Sequence, residues 1–339
     1  MEFRFIKETN ELETLADEWN TLLAESITDT PFLRHEYLSA WWGTRGGGEW
    51  QEAQLATVIA RRDGALVGVA PLFRAVYPEG KTALLLLGSL EISDYLDLIV
   101  REKDLAEFLH GLLDLLASEE CRDWDNLAWF NLRENSPSLE VTIREARRLG
   151  WEHHLELFRP VVSVPLSGDF ESYLAGIDKK QRHEIRRKMR RAAEYDLPVH
   201  WYILEDGARL EGDMQAFLEL MAFDPEKAFF LTPPMREQMM QTARVAWQAG
   251  WLQLAFLEVA GKKAAGYLNF DYRGHIYVYN SGLDGQFLEL SPGWVLLGHL
   301  LEWACEHQRT EFDFMRGDEA YKFKFGGVRR SVMHLQVRR

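Results

Sequence analysis

The feature of this sequence that most constrains the fold is an order of elements that occurs twice. Helices, a hairpin, a strand, a helix and a further strand follow one another in the first half of the 339-residue chain, and the same order returns in the second half. The hairpins are the most visible counterparts, with VIARRDGALVGVAPLF at 58–73 and AFLEVAGKKAAGYLNF at 255–270. A period of roughly 190 residues is much longer than that of solenoid repeats and predicts two similar domains.

Hydrophobic periodicity predicts the elements of each half. In the first half we expect helices at 10–23, 31–42, 103–118 and 138–149, and strands at 55–60, 65–73, 83–87, 95–100 and 126–130. In the second half we expect helices at 170–195, 214–221, 234–249 and 293–307, and strands at 252–259, 264–271, 275–281, 311–315 and 329–337. The periodicity is interrupted in RPVVSVPLSGD, 159–169, by two prolines and a Ser-Gly-Asp cluster. The prediction is an α/β (α+β) fold with domains at 1–162 and 163–339.

Composition limits the classes of protein that need to be considered. The net charge of −14 argues against broad attraction to polyphosphates or anionic membranes, because the field of the whole molecule repels them at long range. Two cysteines, Cys121 and Cys305, suggest no disulfide framework, and the N-terminus lacks a signal-peptide pattern. His153 and His154 have no Cys or carboxylate partner at metal spacing, so no metal is expected. We expect a soluble cytoplasmic protein.

The segment EFDFMRGDEAYKFKFGG, 311–327, places charged side chains among aromatic ones at the end of a predicted strand. Phe312 and Phe314 share one face of that strand, which leaves Asp313 on the other. After Gly317, a helical turn would bring Asp318, Tyr321 and Lys322 to one side, but the alternation of lysine and phenylalanine from 322 to 325 fits a strand equally well. A surface turn held by an Asp318–Lys322 ion pair is the alternative to a functional cluster.

Ser291, Pro292 and Gly293 lie between a predicted strand and a predicted helix. Ser291 fits the N-cap, Pro292 the first helical position, and Gly293 permits close approach of a ligand. A helix N-terminus of this kind favours an anion, although an ordinary capped helix that binds nothing has the same sequence.

The predicted helix at 179–191 is strongly basic. Its basic residues form a broad outer face opposite an apolar stripe that contains Ile185 and Met189, and Glu184 is its one acidic residue. The basic residues are Lys179, Lys180, Arg182, Arg186, Arg187, Lys188, Arg190 and Arg191. The face would suit the phosphates of a cofactor, an anionic membrane, a nucleotide-linked acceptor or RNA, and a solvated face balanced by acidic neighbours is the alternative. The helix lacks the interleaved aromatic residues of single-strand nucleic-acid readers, so RNA ranks low, and DNA is not expected.

Three stretches resemble the GNAT superfamily of acyl-CoA N-acyltransferases, in the tandem form that includes the FemAB-like transferases. They are KKQRHEIRRKMRRAAE at 179–194, YNSGLDGQFLELSPGWVLLGHLLEWA at 279–304 and DFMRGDEAYKFKFG at 313–326. The last two are most similar to the CelD/BcsL-like, cellulose-biosynthesis-associated acetyltransferases, whose pattern joins a Ser-Pro-Gly loop to Asp-Phe-x-x-Gly-Asp followed by Tyr-Lys. The single glycine at Gly293 departs from the two or three glycines that the superfamily usually has in this turn.

The resemblance implies two GNAT-like domains, each with a mixed, mostly antiparallel sheet flanked by helices, of which the first is a degenerate copy. It implies transfer of an acyl group from acetyl-CoA or a longer acyl-CoA to an amine held at the interdomain cleft, by direct attack without a covalent enzyme intermediate. The acceptor would be a small amine or a sugar- or lipid-linked amine. Ser291, Pro292 and Gly293 would then contact the coenzyme A pyrophosphate.

The resemblance and the chemistry of acyl transfer together suggest further roles at 313–324. The amine must lose a proton, the carbonyl must be polarised and the thiolate must gain a proton. Asp318 or Asp313 would take the amine proton and Tyr321 would protonate the thiolate. Arg316, Lys322 or Lys324 would hold a phosphate or an acceptor carboxylate.

Two other functions fit the same sequence. A FemAB-like transferase that uses aminoacyl-tRNA would bind RNA through the helix at 179–191. A non-catalytic GNAT scaffold of an envelope polysaccharide or lipid synthesis complex would dock on its partners, or on a membrane surface, through the same helix.

Overall fold

The structure is a computed structural model that describes residues 1–77, 80–121 and 123–339. The chain forms two compact units: unit 1 comprises Met1–Arg159 and Ser331–Arg339, and unit 2 comprises Pro160–Arg330. These units differ from the predicted domains 1–162 and 163–339 at both ends, because residues 160–162 lie in unit 2 and residues 331–339 lie in unit 1. Within the described residues, no helix is both long enough and apolar enough to cross a bilayer.

The elements follow the chain in alternating groups. The helices are α1 (Thr9–Glu13), α2 (Ala16–Leu23), α3 (His35–Gly48), α4 (Glu102–Ala117), α5 (Pro137–Arg148), α6 (Phe170–Gly176), α7 (Lys179–Ala193), α8 (Leu210–Met221), α9 (Pro225–Phe230), α10 (Pro233–Gln248), α11 (Pro292–Glu306) and α12 (Ala320–Lys324). The strands are β1 (Glu2–Ile6), β2 (Ala53–Leu55), β3 (Thr57–Arg62), β4 (Ala65–Ala70), β5 (Leu72–Val76), β6 (Thr82–Leu86), β7 (Ile99–Val100), β8 (Asn126–Arg133), β9 (Glu152–Pro165), β10 (Val199–Ile203), β11 (Leu252–Val259), β12 (Lys262–Tyr272), β13 (His275–Leu283), β14 (Glu311–Arg316) and β15 (Val328–Arg338). Short 3-10 segments occur at Pro31–Leu33, Glu119–Cys121, Gly207–Arg209 and Gly285–Leu290.

In unit 1, one long hairpin contributes to two sheets. β3 and β4 pair antiparallel in the sheet β1-β3-β4-β7, while β2 and β5 pair antiparallel at the edge of a sheet that continues through β6 and β8 to β15. The hairpin breaks at Ala56 on one side and at Pro71 on the other, and a proline cannot donate a hydrogen bond to a continuous ladder. The predicted hairpin is confirmed.

The core of unit 1 is built around large aromatic side chains. Trp41, Trp42, Trp124 and Trp129 are all at most 5% exposed. The predicted strand at 95–100 is wrong for most of its length, because only Ile99–Val100 pair as β7. In the preceding loop, the buried carboxylate of Asp97 accepts hydrogen bonds from the hydroxyls of Thr28, Ser136 and Ser138.

Unit 2 contains one mixed sheet in the order β9-β14-β13-β12-β11-β10, in which only β13 and β14 are parallel. Helix α8 packs on one face of this sheet and α11 on the other. The adjacent residues Gly266 and Tyr267 show this, because successive strand residues point to opposite faces. A Cβ on Gly266 would lie 3.1 Å from Phe217 of α8, whereas the Tyr267 hydroxyl lies 3.4 Å from the carbonyl oxygen of Gly293 in α11.

Strands β13 and β14 diverge in the middle of the unit 2 sheet. They pair only from His275 opposite Glu311 to Tyr277 opposite Asp313, although β13 continues to Leu283 and β14 to Arg316. A register shift in the β12–β13 ladder, between Leu268 and Asn269, accompanies the divergence. Bulges of this kind bend a strand and increase its local twist. The result is a gap between two strands that begin side by side.

Several predicted elements differ from the structure. The predicted helix at 10–23 is two helices, α1 and α2, and the one at 170–195 is α6 and α7. The break before α7 is stabilised by Asp178, which accepts hydrogen bonds from the amides of Lys180 and Gln181 at the N-cap. β1, β10 and α9 are not predicted at all. β9 runs through the first half of the predicted interruption at 159–169 and ends at the second of its prolines, Pro165.

Candidate functional site

The N-terminus of α11 lies where the sequence predicts it, but its hydrogen bonds differ from the expected cap. Ser291 has a left-handed backbone (φ 52°) and its hydroxyl makes no capping bond. Its carbonyl oxygen instead accepts from the amides of Trp294 (2.9 Å) and Val295 (3.1 Å). Pro292 has no N–H, so within the described residues the amide of Gly293 is the free donor of this first turn. A Cβ on Gly293 would make only an ordinary 3.6 Å contact with Leu283, so packing does not require glycine here.

Two lysines from different elements flank Trp294, the third residue of α11. The ammonium of Lys188, on α7, lies 4.2 Å from the centre of the Trp294 ring, and that of Lys324, on α12, lies 5.7 Å from it. Burial lowers the pKa of Lys188, and the nearby cations of Arg187 and Lys324 also lower it, against the opposing effect of Glu184. The indole N–H of Trp294 is buried and meets no acceptor among the described residues. Three helices therefore bring two lysine ammoniums and a free indole N–H to one end of α11, where the carboxylate of Glu184 lies 3.8 Å from the ammonium of Lys188.

Lys322 has a structural role that differs from the predicted contact with a phosphate. Its side chain is 3% exposed, and its ammonium donates to the carbonyl oxygens of Phe314 (3.3 Å), Arg316 (2.8 Å) and Gly317 (3.0 Å). It also pairs with the carboxylate of Glu319 at 2.8 Å. An ammonium has three hydrogens, and these acceptors already occupy them. Lys322 thus holds the end of β14 to α12 and is not available to a ligand in this structure.

The two predicted aspartates lie in different environments. Asp313 is 4% exposed and accepts a hydrogen bond from the amide of Met315 at 2.7 Å. Met315 has a left-handed backbone (φ 57°), and the β14–β9 register shifts at this point, so Asp313 stabilises the irregular end of β14. Asp318 is exposed at the surface and pairs with Arg329 at 3.1 Å. The ion pair that the sequence suggests, Asp318 with Lys322, is replaced by Asp318–Arg329 and Glu319–Lys322.

Two tyrosines converge between α11 and α12. Burial raises the pKa of Tyr321 and the carboxylate of Glu319 raises it further, so the hydroxyl keeps its proton at neutral pH. Tyr321 packs edge-on against Phe314, and within the described residues its hydroxyl meets no hydrogen-bond partner. Tyr267, on β12, is buried beside it: burial raises the pKa of Tyr267, and its proximity to Tyr321 adds to the effect. Tyr267 is a site residue that the sequence does not single out, because in the alternating pattern of β12 it looks like any other buried strand residue.

The basic face of α7 is partly paired. Arg186 pairs with Glu171, and Arg187 pairs with Glu184 at 2.7 Å. Arg187, Arg190, Arg191 and Tyr195 line a shallow surface depression of about 320 Å³ together with Glu194 and Asp196. The apolar stripe packs on α11, where a Cβ on Gly298 would lie 2.9 Å from the sulfur of Met189. This contact brings α7, and with it Lys188, close to α11.

No group of three or more His, Cys, Asp or Glu side chains in the part of the chain that the structure describes is arranged to hold a metal ion. Of the predicted site residues, Pro292, Gly293, Tyr321 and Lys324 lie around the first turn of α11. Arg316 is half-buried at the end of β14, and Asp318 lies at the surface near the start of α12. Lys188, Trp294 and Tyr267 join this cluster, and of these the sequence analysis does not single out Trp294 or Tyr267.

The comparisons with known proteins agree with this architecture. Residues 179–323 match the family model described as an acetyltransferase (GNAT) domain. FemX has the same fold, with a TM-score of 0.70 and 13% identity over 99% of this chain and 97% of FemX. L-PGS from Bacillus licheniformis is also similar, with a TM-score of 0.56 and 12% identity over 98% of this chain and 92% of that one.

A tandem GNAT protein from the clavulanic acid biosynthesis pathway has a TM-score of 0.51 and 14% identity, over 98% of each chain. No curated protein matches the sequence. These likenesses confirm the predicted mixed α/β fold with tandem GNAT-like architecture. Residues 179–323 thus match the acetyltransferase (GNAT) domain model, in a chain whose fold is similar to that of FemX and of a tandem GNAT protein.

Proposed function

We propose that the protein is an acyl-CoA-dependent N-acyltransferase whose co-substrate binds in unit 2 at the first turn of α11. The observation that carries this proposal is the convergence of Lys188 and Lys324 on Trp294, beside the gap between β13 and β14. Cations held together in a partly buried place repel one another, and a bound anion relieves that repulsion. The positive end of the α11 dipole adds to the attraction.

The phosphates of coenzyme A would lie against the amide of Gly293, with the ammoniums of Lys188 and Lys324 on either side. The single free amide is fewer than a glycine-rich turn provides, and the two lysines compensate for it with full charges. Gly293 leaves room for the phosphate because it has no side chain.

The gap between β13 and β14 suits the rest of the co-substrate. Diverging strands leave backbone N–H and C=O groups without ladder partners, and an extended ligand that contains amides can pair with them as an added strand does. The pantetheine arm of coenzyme A is such a ligand. We propose that it lies in this gap, which would direct the acyl end toward Tyr321.

Acyl-CoA would supply the activated acyl group as a thioester. In the transfer to an amine, the new C–N bond forms as the C–S bond breaks, the amine loses a proton and the sulfur gains one. Tyr321 would give its proton to the leaving sulfur, since the raised pKa keeps the hydroxyl protonated. Asp318 would take the amine proton through water, because it lies exposed at the surface three residues before Tyr321. This scheme gives Asp313 no proton transfer, because it is buried and accepts a hydrogen bond from the Met315 amide.

Binding of acyl-CoA tests the proposal directly. We expect acetyl-CoA or a longer acyl-CoA to raise the melting temperature by mass action, with about 2.7 kcal/mol of stabilisation when the ligand is at 100 times its Kd. Lys188→Met and Lys324→Met should each raise the Kd, measured by calorimetry, by about 10-fold or more, because each removes a charged contact. Lys262→Met is the matched control, since Lys262 is an exposed lysine at the β11–β12 turn. The proposal fails if no acyl-CoA shifts the melting temperature, or if the control weakens binding as much as the site variants.

A second candidate, a FemAB-like transferase that uses aminoacyl-tRNA, rests on the arginine-lined depression at Arg187, Arg190 and Arg191. The same protein distinguishes the two candidates. The second candidate would be favoured if tRNA binds with an affinity that falls steeply as salt rises, while no acyl-CoA raises the melting temperature. The narrower CelD/BcsL-like grouping stays a proposal that rests on the motifs at 279–304 and 313–326.

A further inference from the structure

Lys227 lies next to the gap between β13 and β14, on the side of the sheet opposite α11. It belongs to α9, which follows α8 after three residues. α8 is held tightly to its face of the sheet, because a Cβ on Gly282 of β13 would lie only 2.5 Å from the backbone nitrogen of Met221. The ammonium of Lys227 donates to the carbonyl oxygen of Ser281 at 2.5 Å. Ser281 lies beyond the last residue of β13 that pairs with β14.

The register of the sheet relates this lysine to the proposed site. Ser281 lies directly opposite Tyr267, whose hydroxyl contacts Gly293 at the first turn of α11. The carboxylate of Glu319, one residue before α12, is close enough to affect the pKa of both Lys227 and Tyr321. Lys227 and the lysines around Trp294 thus lie near the same gap but approach it from opposite faces.

The ammonium of Lys227 differs from that of Lys322 in how it is satisfied. Lys227 is half-buried, and among the described residues it has one hydrogen-bond acceptor for three hydrogens. Asp224 and Glu319 act on it at longer range, and the carboxylate of Glu319 is held by Lys322. Phe229, two residues further along, is 89% exposed, so α9 lies at the surface, and Lys227 itself is partly exposed.

We propose that Lys227 binds an anionic group of the acceptor, and that the acceptor is therefore a primary amine that also carries a carboxylate or a phosphate. This inference rests on the proposed function. The co-substrate would take the face of α11, and the amine would approach the gap from the face of α8. A partly desolvated ammonium with free hydrogens interacts more strongly with an anion than an exposed one does, because water screens the charge less.

Matched pairs of amines test the proposal with acetyl-CoA as donor and release of the free thiol as readout. The pairs are γ-aminobutyrate against butylamine, for the carboxylate, and glucosamine phosphate ester against glucosamine, for the phosphate. In at least one pair, we expect kcat/KM of the wild-type protein to be about 10-fold or more higher for the anionic member. Lys227→Met should bring that ratio close to one, while Lys227→Arg and the control Lys262→Met should retain a preference.

Binding of acetyl-CoA by each variant separates this inference from the function on which it rests. The Lys227 variants should bind acetyl-CoA as the wild-type protein does and keep its melting temperature. Three outcomes would overturn the role of Lys227. The preference for the anionic amine could survive in Lys227→Met, or the wild-type rates could be equal within both pairs. A protein that binds acetyl-CoA could also fail to react with either anionic amine. Failure of the wild-type protein to bind any acyl-CoA would instead overturn the proposed function, and this inference with it.

Discussion

At the scale of single residues, Lys322 and Lys324 show that a sequence motif predicts residue types but not the directions of their side chains. The two lysines are two positions apart in one charged segment, and the sequence assigns them the same role. In the structure Lys322 is buried among carbonyl oxygens, whereas Lys324 is exposed and faces Trp294. Helical geometry separates them, since residues two apart on a helix do not share a face. The residue types were predictable from the sequence, but the directions of their side chains were not.

Tyr321 carries the most direct chemical prediction. Tyr321→Phe should lower kcat by about 10²–10⁴ while acetyl-CoA still binds, because it removes the proton donor and leaves the ring. Since burial raises the pKa of Tyr321, the protonated form is present below that raised value and is lost only as pH rises through it. As pH rises, activity that depends on this hydroxyl should therefore be retained up to at least about pH 10, the ordinary pKa of a tyrosine.

Steady-state kinetics of Tyr321→Phe and a pH profile of the wild-type protein measure this. Tyr195→Phe is the matched control, because its hydroxyl contacts Glu289 away from α12. A loss of less than tenfold in Tyr321→Phe, or an equal loss in the control, would remove the assignment.

At the scale of elements, the sheet of unit 2 depends on glycines at two facing positions. Gly266 of β12 and Gly282 of β13 are directly opposite each other, and both face α8. The predicted strands 264–271 and 275–281 are confirmed, but the need for small residues at these positions is a property of the packed helix. Hydrophobic periodicity alone predicts a strand and its two faces, but it does not predict how closely a helix approaches one of those faces.

Gly282→Ala should therefore destabilise unit 2. The new methyl would lie 2.5 Å from the backbone of α8, and relief requires the helix to move. We expect a loss of about 1–3 kcal/mol in the free energy of unfolding, measured with denaturant. Gly285→Ala is the matched control, because a Cβ there meets nothing within 4 Å, and it should change stability by no more than about 0.5 kcal/mol. Equal stability of the two variants would show that α8 is not held as described.

At the scale of the whole molecule, the last residues of the chain belong to the first unit. β15 pairs antiparallel with β8 from Val332 to Arg338, and Leu335 lies opposite Trp129 with 1% of its surface exposed. The sequence predicts the strand at 329–337 but places it in the second domain. Strand pairing is a contact between distant segments, and no local pattern specifies the partner.

Leu335→Ala tests this placement. Removing a fully buried leucine should cost about 2–5 kcal/mol, and the loss should fall on unit 1. Hydrogen exchange should become faster in β8 and its neighbours, while α11 and β12 keep their protection. Gln336→Ala, at a half-exposed neighbouring position, should change neither region. Faster exchange confined to unit 2 would contradict the division of the chain.

The sequence by itself determined the α/β class, the repeated order of elements, both hairpins and the strand–turn–helix at 275–307, because these follow from local periodicity and turn residues. It also determined the types of residue around the candidate site. Only the tertiary structure decided that Lys188, Trp294, Tyr267 and Lys324 meet, that Lys322 is occupied by carbonyl oxygens, and that residues 331–339 return to unit 1. Those outcomes depend on contacts between segments far apart in the chain, which form through packing and strand pairing and leave no signal at the spacing of a helix or a strand.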